Sequence, residues 1–576
     1  MQALKSARLE FNVPFRMRDG TILYADIYRP DERGKYPVIL TRLPYNKNHF
    51  FQRSGEGFMD FQRFVRAGYA VVIQDVRGTG ASEGEFYLLR SEDEDGYDTV
   101  ELLASQPWCN GNVGMYGFSY FAFTPWAAAV KQPPHLKTIC PADHRVAGRG
   151  EPYIHNSVFH LNPLLPWCIG HYERGLNRSN LLPEQKKSIQ EHLSRLMDNM
   201  QEQLNFLPLR DHPITEIAKQ IGMAPFYYDW ITYIDNDDYW RKICSPAPLE
   251  NVDIPVFQLS GWYDTMASGI LANYQEMKTR GGSELARKYQ KLLIGPWTHS
   301  MLLSNMVGEL NFGSASSGEA VDVTGTLIRW FDRWLKGVDN GIPDEPPIRI
   351  FVMGDNVWRD ENEWPLARTK YIKYYLHSRG HANTSSGDGV LSTEISGDEQ
   401  TDDFLYDPRS PVPTRTMGAQ DQEPVEKRPD VLVYTSLPLN SPIEVTGPLE
   451  VKIYAASSAV DTDFTAKLVD VWPNGKAYNL ADGIIRARYR NSISKPELLE
   501  PGKIYEYSID IGNTSNVFKT GHRIRLEISS SNFPGNDRNL NTGHPIGQDA
   551  EIKVALQTIY HNEKQRSCIT LPIIPE

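Results

Sequence analysis

Cysteine is scarce and scattered: Cys109, Cys140, Cys168, Cys244 and Cys568 stand far apart, with no CxxC among them. That usage argues against a disulfide framework and against a thiolate zinc site, and makes a reducing cytoplasm the expected compartment. Long apolar runs are missing too. Nothing approaches the ~18 consecutive apolar residues of a membrane-spanning helix, and the N-terminal MQALKSARLEFNVPFRMRDG lacks the apolar centre of a signal peptide. Positive charge is in deficit, since 60 Lys and Arg face 72 Asp and Glu for a formal net charge of −12. Without basic clusters to release counterions, neither nucleic acid nor an anionic membrane is an expected partner. HExxH is absent, and His155 and His160 have the wrong spacing for one helix face, so no metal is expected. The glycine-rich Gly78-Thr79-Gly80-Ala81-Ser82-Glu83-Gly84 has neither the following lysine of a P-loop nor the spacing of a dinucleotide fingerprint. Asp75 and Arg77 beside it are expected to form a structural ion pair.

What is present is an ordinary globular composition, 40% hydrophobic and 23% charged, over 576 residues, too many for one compact core. Short apolar runs at Val38–Thr41, Ala70–Gln74, Val113–Tyr116 and Leu136–Cys140 alternate with helical patterns, the rhythm of a largely parallel α/β sheet. A helix is expected from Ser91, with Glu94 three positions on as its capping-box partner and four acids in the first turn. Residues 147–245 read as a helical, aromatic-rich insertion. Its clearest piece is one long helix from Pro183, with Ile189, Leu193, Leu196, Met197, Met200 and Leu204 on one face. Strand-like runs resume at Ile254–Leu259 and Lys291–Ile294. From residue 346 the period becomes two, as in Leu449/Val451/Ile453, Ile524/Leu526/Ile528 and Ile552/Val554/Leu556, which predicts an antiparallel sandwich. The polar stretch Ser378–Asp430 is expected to form long loops. The chain thus divides into 1–146 and 246–345 as the two parts of an α/β core, 147–245 as its cap and 346–576 as a β domain.

Ser119 sits in Gly114-Met115-Tyr116-Gly117-Phe118-Ser119-Tyr120, between a predicted strand and the small-residue run Ala127-Ala128-Ala129. A serine on such a sharp turn is exposed beside a helix N-terminus, and Gly117 leaves room for the strained backbone. Its hydroxyl needs an imidazole to take the proton and a carboxylate to fix the imidazole tautomer. Asp264 follows the strand Ile254–Leu259, and His299 follows Lys291–Ile294. The order Ser, Asp, His, each at the carboxyl end of a strand, is that of an α/β hydrolase. The amide of Tyr120 is the natural first oxyanion donor. A second is expected from the loop Arg42-Leu43-Pro44-Tyr45-Asn46-Lys47, where Tyr45 is either a donor or a core or rim aromatic.

Four segments together resemble the cocaine esterase and X-prolyl dipeptidyl peptidase family, the CocE/NonD hydrolases. They are Asp75 to Gly84, Gln106-Pro107-Trp108 through Ser119-Tyr120, Gly261-Trp262-Tyr263-Asp264 and Gly295-Pro296-Trp297-Thr298-His299. The resemblance implies an α/β-hydrolase core, an inserted helical cap and a C-terminal jelly-roll domain of galactose-binding-like type. It implies Ser119, Asp264 and His299 as catalytic triad, Tyr45 with the Tyr120 amide as oxyanion hole, and no cofactor. Ala122 departs from the family's glycine three positions after the nucleophile, and slightly wider helix packing is expected there. Family members that bind an α-amino group carry carboxylates just after the catalytic aspartate. Here Thr265, Met266, Ala267 and Ser268 follow, which favours neutral esters. Trp167 and Met266 are candidates for an apolar acyl pocket, or else core residues. The expected activity is hydrolysis of a small carboxylic ester through an acyl-enzyme. An X-prolyl dipeptidyl peptidase, an amide or β-lactam acylase, and a carbohydrate-binding protein with an inactive core are the alternatives. Assembly stays open, a homodimer being one option.

Overall fold

Apolar runs too short for helices, separated by helical stretches, are the makings of a sheet covered on both faces. The protein is seen in a computed structural model that describes residues 7–31, 34–49, 60–144, 154–155, 158–243, 248–300, 302–395, 397–415 and 417–575. A ten-stranded sheet carries β1 (Ala7–Arg16), β2 (Ile22–Pro30), β3 (Tyr36–Leu43), β4 (Ala70–Asp75), β5 (Cys109–Phe118), β6 (Leu136–Ala142), β7 (Val256–Gly261), β8 (Gln290–Gly295), β9 (Ile348–Val352) and β10 (Val357–Glu361). Its order is β1-β2-β4-β3-β5-β6-β7-β8-β9-β10. From β4 to β9 neighbours pair in parallel, while β1, β2 and β10 are antiparallel edges. The sheet therefore outruns the expected boundary at 345: β9 and β10 extend it to Glu361. The alternation of Ile348, Ile350 and Val352 reads the same for an added strand as for the start of a new domain.

Between β4 and β5, α1 (Glu92–Ala104) forms where the acids promised a helix, but the capping box does not. Ser91 is left-handed (φ 67°) and its side chain caps nothing. The acids are drawn instead into a buried network: Arg42 Nη1 lies 2.9 Å from Glu92 Oε2, and Arg77 donates to Asp95 at 2.6 and 2.9 Å. The expected Asp75–Arg77 pair is likewise replaced. Asp75 accepts from the Lys47 and Ala81 amides, while Arg77 binds Asp95 and Asp19.

Beyond 144 the described cap begins with short pieces and then α3 (Leu161–Arg178), whose Leu164, Leu165, Cys168, Ile169, Tyr172 and Leu176 are buried in one cluster with Tyr116 and Phe123 of the sheet domain. The predicted long helix is two, α4 (Pro183–Asp198) and α5 (Met200–Asn205). Asn199 breaks it by returning both its amide and its side-chain Nδ2 to the Arg195 carbonyl, and Met197 is left exposed. Helices Ile214–Gln220, Phe226–Thr232 and Asp237–Ile243 complete the insertion. Back in the core, α6 (Ala267–Arg280) follows β7.

The C-terminal region is mostly β. Eleven strands form one sheet, and among the described residues its pairings are antiparallel apart from the Val390–Thr435 bridge. Val451 and Ile453, and Leu526 and Ile528, point inward as their period demands. The last predicted strand is out of phase: in Ala555–Tyr560, Ala555, Gln557 and Ile559 are buried while Val554 and Leu556 are exposed. Gln557 is tolerated inside because its Nε2 donates to Thr462 Oγ1 at 2.7 Å. The stretch Ser378–Asp430 is not loop alone, for it holds strands Val390–Ser392 and Asp402–Tyr406. Ile270, Leu271 and Tyr274 of α6 share a core with Val451, Ile509 and Leu526 of the second sheet. Each such burial contributes about 1.5–3 kcal/mol and fixes the β region against the strand ends of the first sheet. Among the described residues no helix is long and apolar enough to cross a membrane.

Candidate active site

Ser119 ends β5 and precedes α2 (Tyr120–Ala129) in a conformation few side chains adopt, φ 55° and ψ −129°. The turn is so tight that a Cβ at Gly117 would lie 1.6 Å from the Phe121 carbonyl oxygen, which makes glycine obligatory there. The Ser119 amide donates to the Ala142 carbonyl at the end of β6, and its carbonyl accepts from the Ala122 amide. Ala122 is fully buried. The hydroxyl makes no cap to α2; it faces His299 instead.

Asp264 and His299 stand on neighbouring strand ends tied backbone to backbone. The Trp262 amide donates to the Gly295 carbonyl at 2.9 Å and the Tyr263 amide to the Trp297 carbonyl at 3.0 Å. Gly261 permits that approach, since a Cβ there would sit 2.2 Å from the Trp297 oxygen. His299 Nδ1 is 2.9 Å from Asp264 Oδ2, and Nε2 is 2.9 Å from Ser119 Oγ. The carboxylate demands a proton on Nδ1, which leaves Nε2 to accept from the serine hydroxyl. Asp264 Oδ1 accepts from the Met266 amide at 2.8 Å, and the Phe118 ring packs on the imidazole with centroids 4.7 Å apart. Burial opposes a charge on His299, but the Asp264 carboxylate and its hydrogen bond outweigh it and hold the imidazole pKa above its ordinary value.

The Tyr120 ring is anchored behind the serine: its hydroxyl donates to Glu92 Oε1 at 2.9 Å and accepts from the Leu89 amide at 3.0 Å. Burial pushes Glu92 up to about 7 despite the Arg42 guanidinium. Tyr45 is buried, with its hydroxyl accepting from Trp167 Nε1 at 3.1 Å and the Arg174 guanidinium 5.3 Å from its ring centre. Ser119, Tyr120, His299, Trp167 and Met266 line a cavity of about 530 Å³. Tyr45 does not line it; it borders a second cavity of about 520 Å³ with His171, Arg174 and Arg178.

Much of the wall that the cap and the second sheet supply escaped the sequence reading. Leu164 and Pro166 come from the cap, and Leu480, Asp482, Ile484, Ile511 and Asn513 from the second sheet. The Tyr263 hydroxyl donates to the Asn479 carbonyl at 3.1 Å and Asn513 Nδ2 to Ser268 Oγ at 3.2 Å, which seats that sheet on the loop after Asp264. Asp143 escaped as well, although it follows the predicted strand Leu136–Cys140, and its place at a strand's carboxyl end was the available signal. Asp143, Asp264 and His299 bring ligand-type atoms within 4.8 Å of one another. Both ring nitrogens of His299 are engaged within the protein, Nδ1 with Asp264 and Nε2 with Ser119.

Residues 19–301 match the family described as X-Pro dipeptidyl-peptidase (S15 family), and residues 340–570 its C-terminal non-catalytic domain. The cocaine esterase of Rhodococcus sp. (strain MB1 Bresler) is 40% identical over 581 residues, covering 98% of each chain. Among solved structures, an α-amino acid ester hydrolase superposes with a TM-score of 0.79 at 25% identity, covering 100% of this chain and 97% of that one. A CocE/NonD family hydrolase from Staphylococcus aureus shares the fold, with a TM-score of 0.70 at 19% identity over 98% and 94% of the two chains. With that fold, those matched regions and a relative alike from end to end, the chain belongs to the CocE/NonD hydrolases of the X-Pro dipeptidyl-peptidase S15 family.

Proposed function

We propose that the protein is a serine carboxylic-ester hydrolase in which Ser119 is the nucleophile, His299 the general base and Asp264 the residue that orients it. The reading rests on one observation, the relay from Ser119 Oγ to His299 Nε2 and from Nδ1 to Asp264, each 2.9 Å. Ser119 attacks the ester carbonyl as His299 takes its proton, and the imidazolium then protonates the leaving alcohol. Water repeats the sequence on the acyl-enzyme and releases the acid. The Tyr120 amide, at the first position of α2, is the proposed oxyanion donor, aided by the helix N-terminus. Tyr45 is proposed as the second, a role that requires its hydroxyl, behind Trp167 and off the cavity wall here, to turn toward Ser119 when substrate binds. The Trp167 N–H occupies a lone pair of its oxygen and so orients the O–H as donor. Trp167 and Met266, half-buried on the cavity wall, are proposed to hold the acyl group. The chemistry as written calls for no cofactor.

Replacing Ser119 by alanine tests the assignment on p-nitrophenyl butyrate, with circular dichroism to show an intact fold. Retained turnover, or labelling of the variant by a fluorophosphonate, would refute it. A peptidase or amide acylase is the second reading, and Asp482 favours it: a carboxylate on the cavity wall, steadied by Asn532 Nδ2 at 3.0 Å, suits a substrate ammonium group. Comparing the butyrate ester with a dipeptidyl-proline anilide separates the two. A purely carbohydrate-binding role gives the assembled relay nothing to do.

A further inference from the structure

A second carboxyl group is buried beside the proposed triad, and the reaction as written does not use it. Asp143 follows β6 with a left-handed backbone (φ 53°), and its amide donates to the Leu259 carbonyl on β7, the strand that carries Asp264. Its side chain is wholly inaccessible, and neither carboxyl oxygen accepts a hydrogen bond of regular geometry; the donor group that faces it is the Ser260 hydroxyl, whose pull toward the ionised form is outweighed by burial and by Asp264. Leaving an ionised carboxylate so placed is among the costliest arrangements a protein can hold. The polar groups that face it are Ser260 on β7, Asp264 on the loop beyond and His299 after β8. Asp264 is the member of the pair that donors reach, since it accepts from the Met266 amide and from the imidazole. Two buried carboxyl groups within 4.8 Å of each other do not both ionise readily, and the one with fewer donors keeps the proton.

We propose that Asp143 is a positioning residue, a carboxylic acid whose O–H donates to the Asp264 carboxylate and so fixes the group that orients His299. The inference rests on the triad reading above. Full burial and the Asp264 charge hold the Asp143 carboxyl well above the usual carboxylate range, in keeping with that protonated form. An O–H donated to Asp264 spreads the carboxylate's negative charge and so weakens its hold on the His299 imidazolium. Removing it leaves the whole of that negative charge facing the ring.

The test is the acidic limb of the kcat/KM profile for p-nitrophenyl butyrate, with Tm measured alongside, in Asp143→Asn and Asp143→Leu. The asparagine amide still donates and is neutral, so that variant keeps the limb where it is. The leucine variant loses about tenfold in kcat, with KM little changed, and its limb moves about one pH unit higher. A limb moved lower in both variants would mean that Asp143 is an anion acting on His299, and would overturn the proposal. An unmoved limb in the leucine variant would do the same, reducing Asp143 to packing. Should the leucine variant not fold, the asparagine profile decides alone: unchanged supports, lowered overturns. Ser119→Ala run in parallel keeps the two readings apart. An active alanine variant sinks the triad, whereas an inactive one beside an unmoved leucine limb sinks only Asp143.

Discussion

Two walls face each other across the Ser119 cavity. The first is made of strand ends of the parallel sheet, whose loops are stitched by main-chain hydrogen bonds, as between Trp262 and Gly295, and hold their polar side chains in a closed relay. The second comes from the β region, where Leu480, Ile484 and Ile511 present aliphatic surface with Asp482 and Asn513 among them. The first wall carries the relay, and most of the aliphatic surface comes from the second, with Met266 of the first wall and Trp167 of the cap beside it. Changes to the second wall should therefore alter substrate preference more than they alter the relay.

The sharpest break is Ser119→Ala, which should lower kcat on the order of 10⁶-fold with an unchanged circular dichroism spectrum. Asp264→Asn comes next, at about 10⁴-fold in kcat, because the imidazole is left in the wrong tautomer; a comparable rise in KM instead would place the residue in binding. On the second wall, Leu480→Ala should shift the butyrate-to-acetate preference in kcat/KM by about tenfold toward acetate. A uniform loss on both esters would erase the distinction between the walls. The smallest effect lies behind the first wall, where Glu92 is raised from 4.5 to about 7 by burial. A folded-state pKa above the unfolded value means that the folded form binds more protons between the two. The stability from protonated Glu92 is complete below the unfolded pKa and is lost as pH rises through about 7. Glu92→Gln should flatten that decline, read as Tm from about pH 5 to pH 8; an equally steep decline in the variant would move the titration elsewhere.

The first wall was also the legible one. Ser119, Asp264 and His299 each follow a recognisable strand run within a glycine-bearing turn, because strained turns and close loops restrict which residues fit, as Gly117 and Gly261 show. The second wall leaves no such mark. Ile511 reaches the cavity on a strand paired with the distant Ile443–Ser457, and Leu480 at a register shift in its hairpin with Asp463–Val471; their sequence surroundings are those of any half-buried strand. The errors share a cause: local pattern lost to partners far along the chain. Ser91 gave up its cap because the acids after it were drawn to Arg42 and Arg77. The phase near Leu556 failed because Thr462, 95 residues away, takes up the Gln557 Nε2 in the interior. Asn199 is the exception, a break made locally by an asparagine whose amide competes for a helix carbonyl.

The stitching between the loops after β7 and β8 bears on how this site can breathe. With Tyr263 bound to the Trp297 carbonyl and Trp262 to that of Gly295, acid and imidazole ride on one stiff plate, while the nucleophile belongs to a separate turn braced on Ala142. A loosening of the cleft is therefore expected to open first at the junction of Oγ and Nε2, where among the described residues no main-chain bond joins the two parts directly. The enzyme would idle by uncoupling its nucleophile, with the base still held in its working tautomer and ready when the turn swings back.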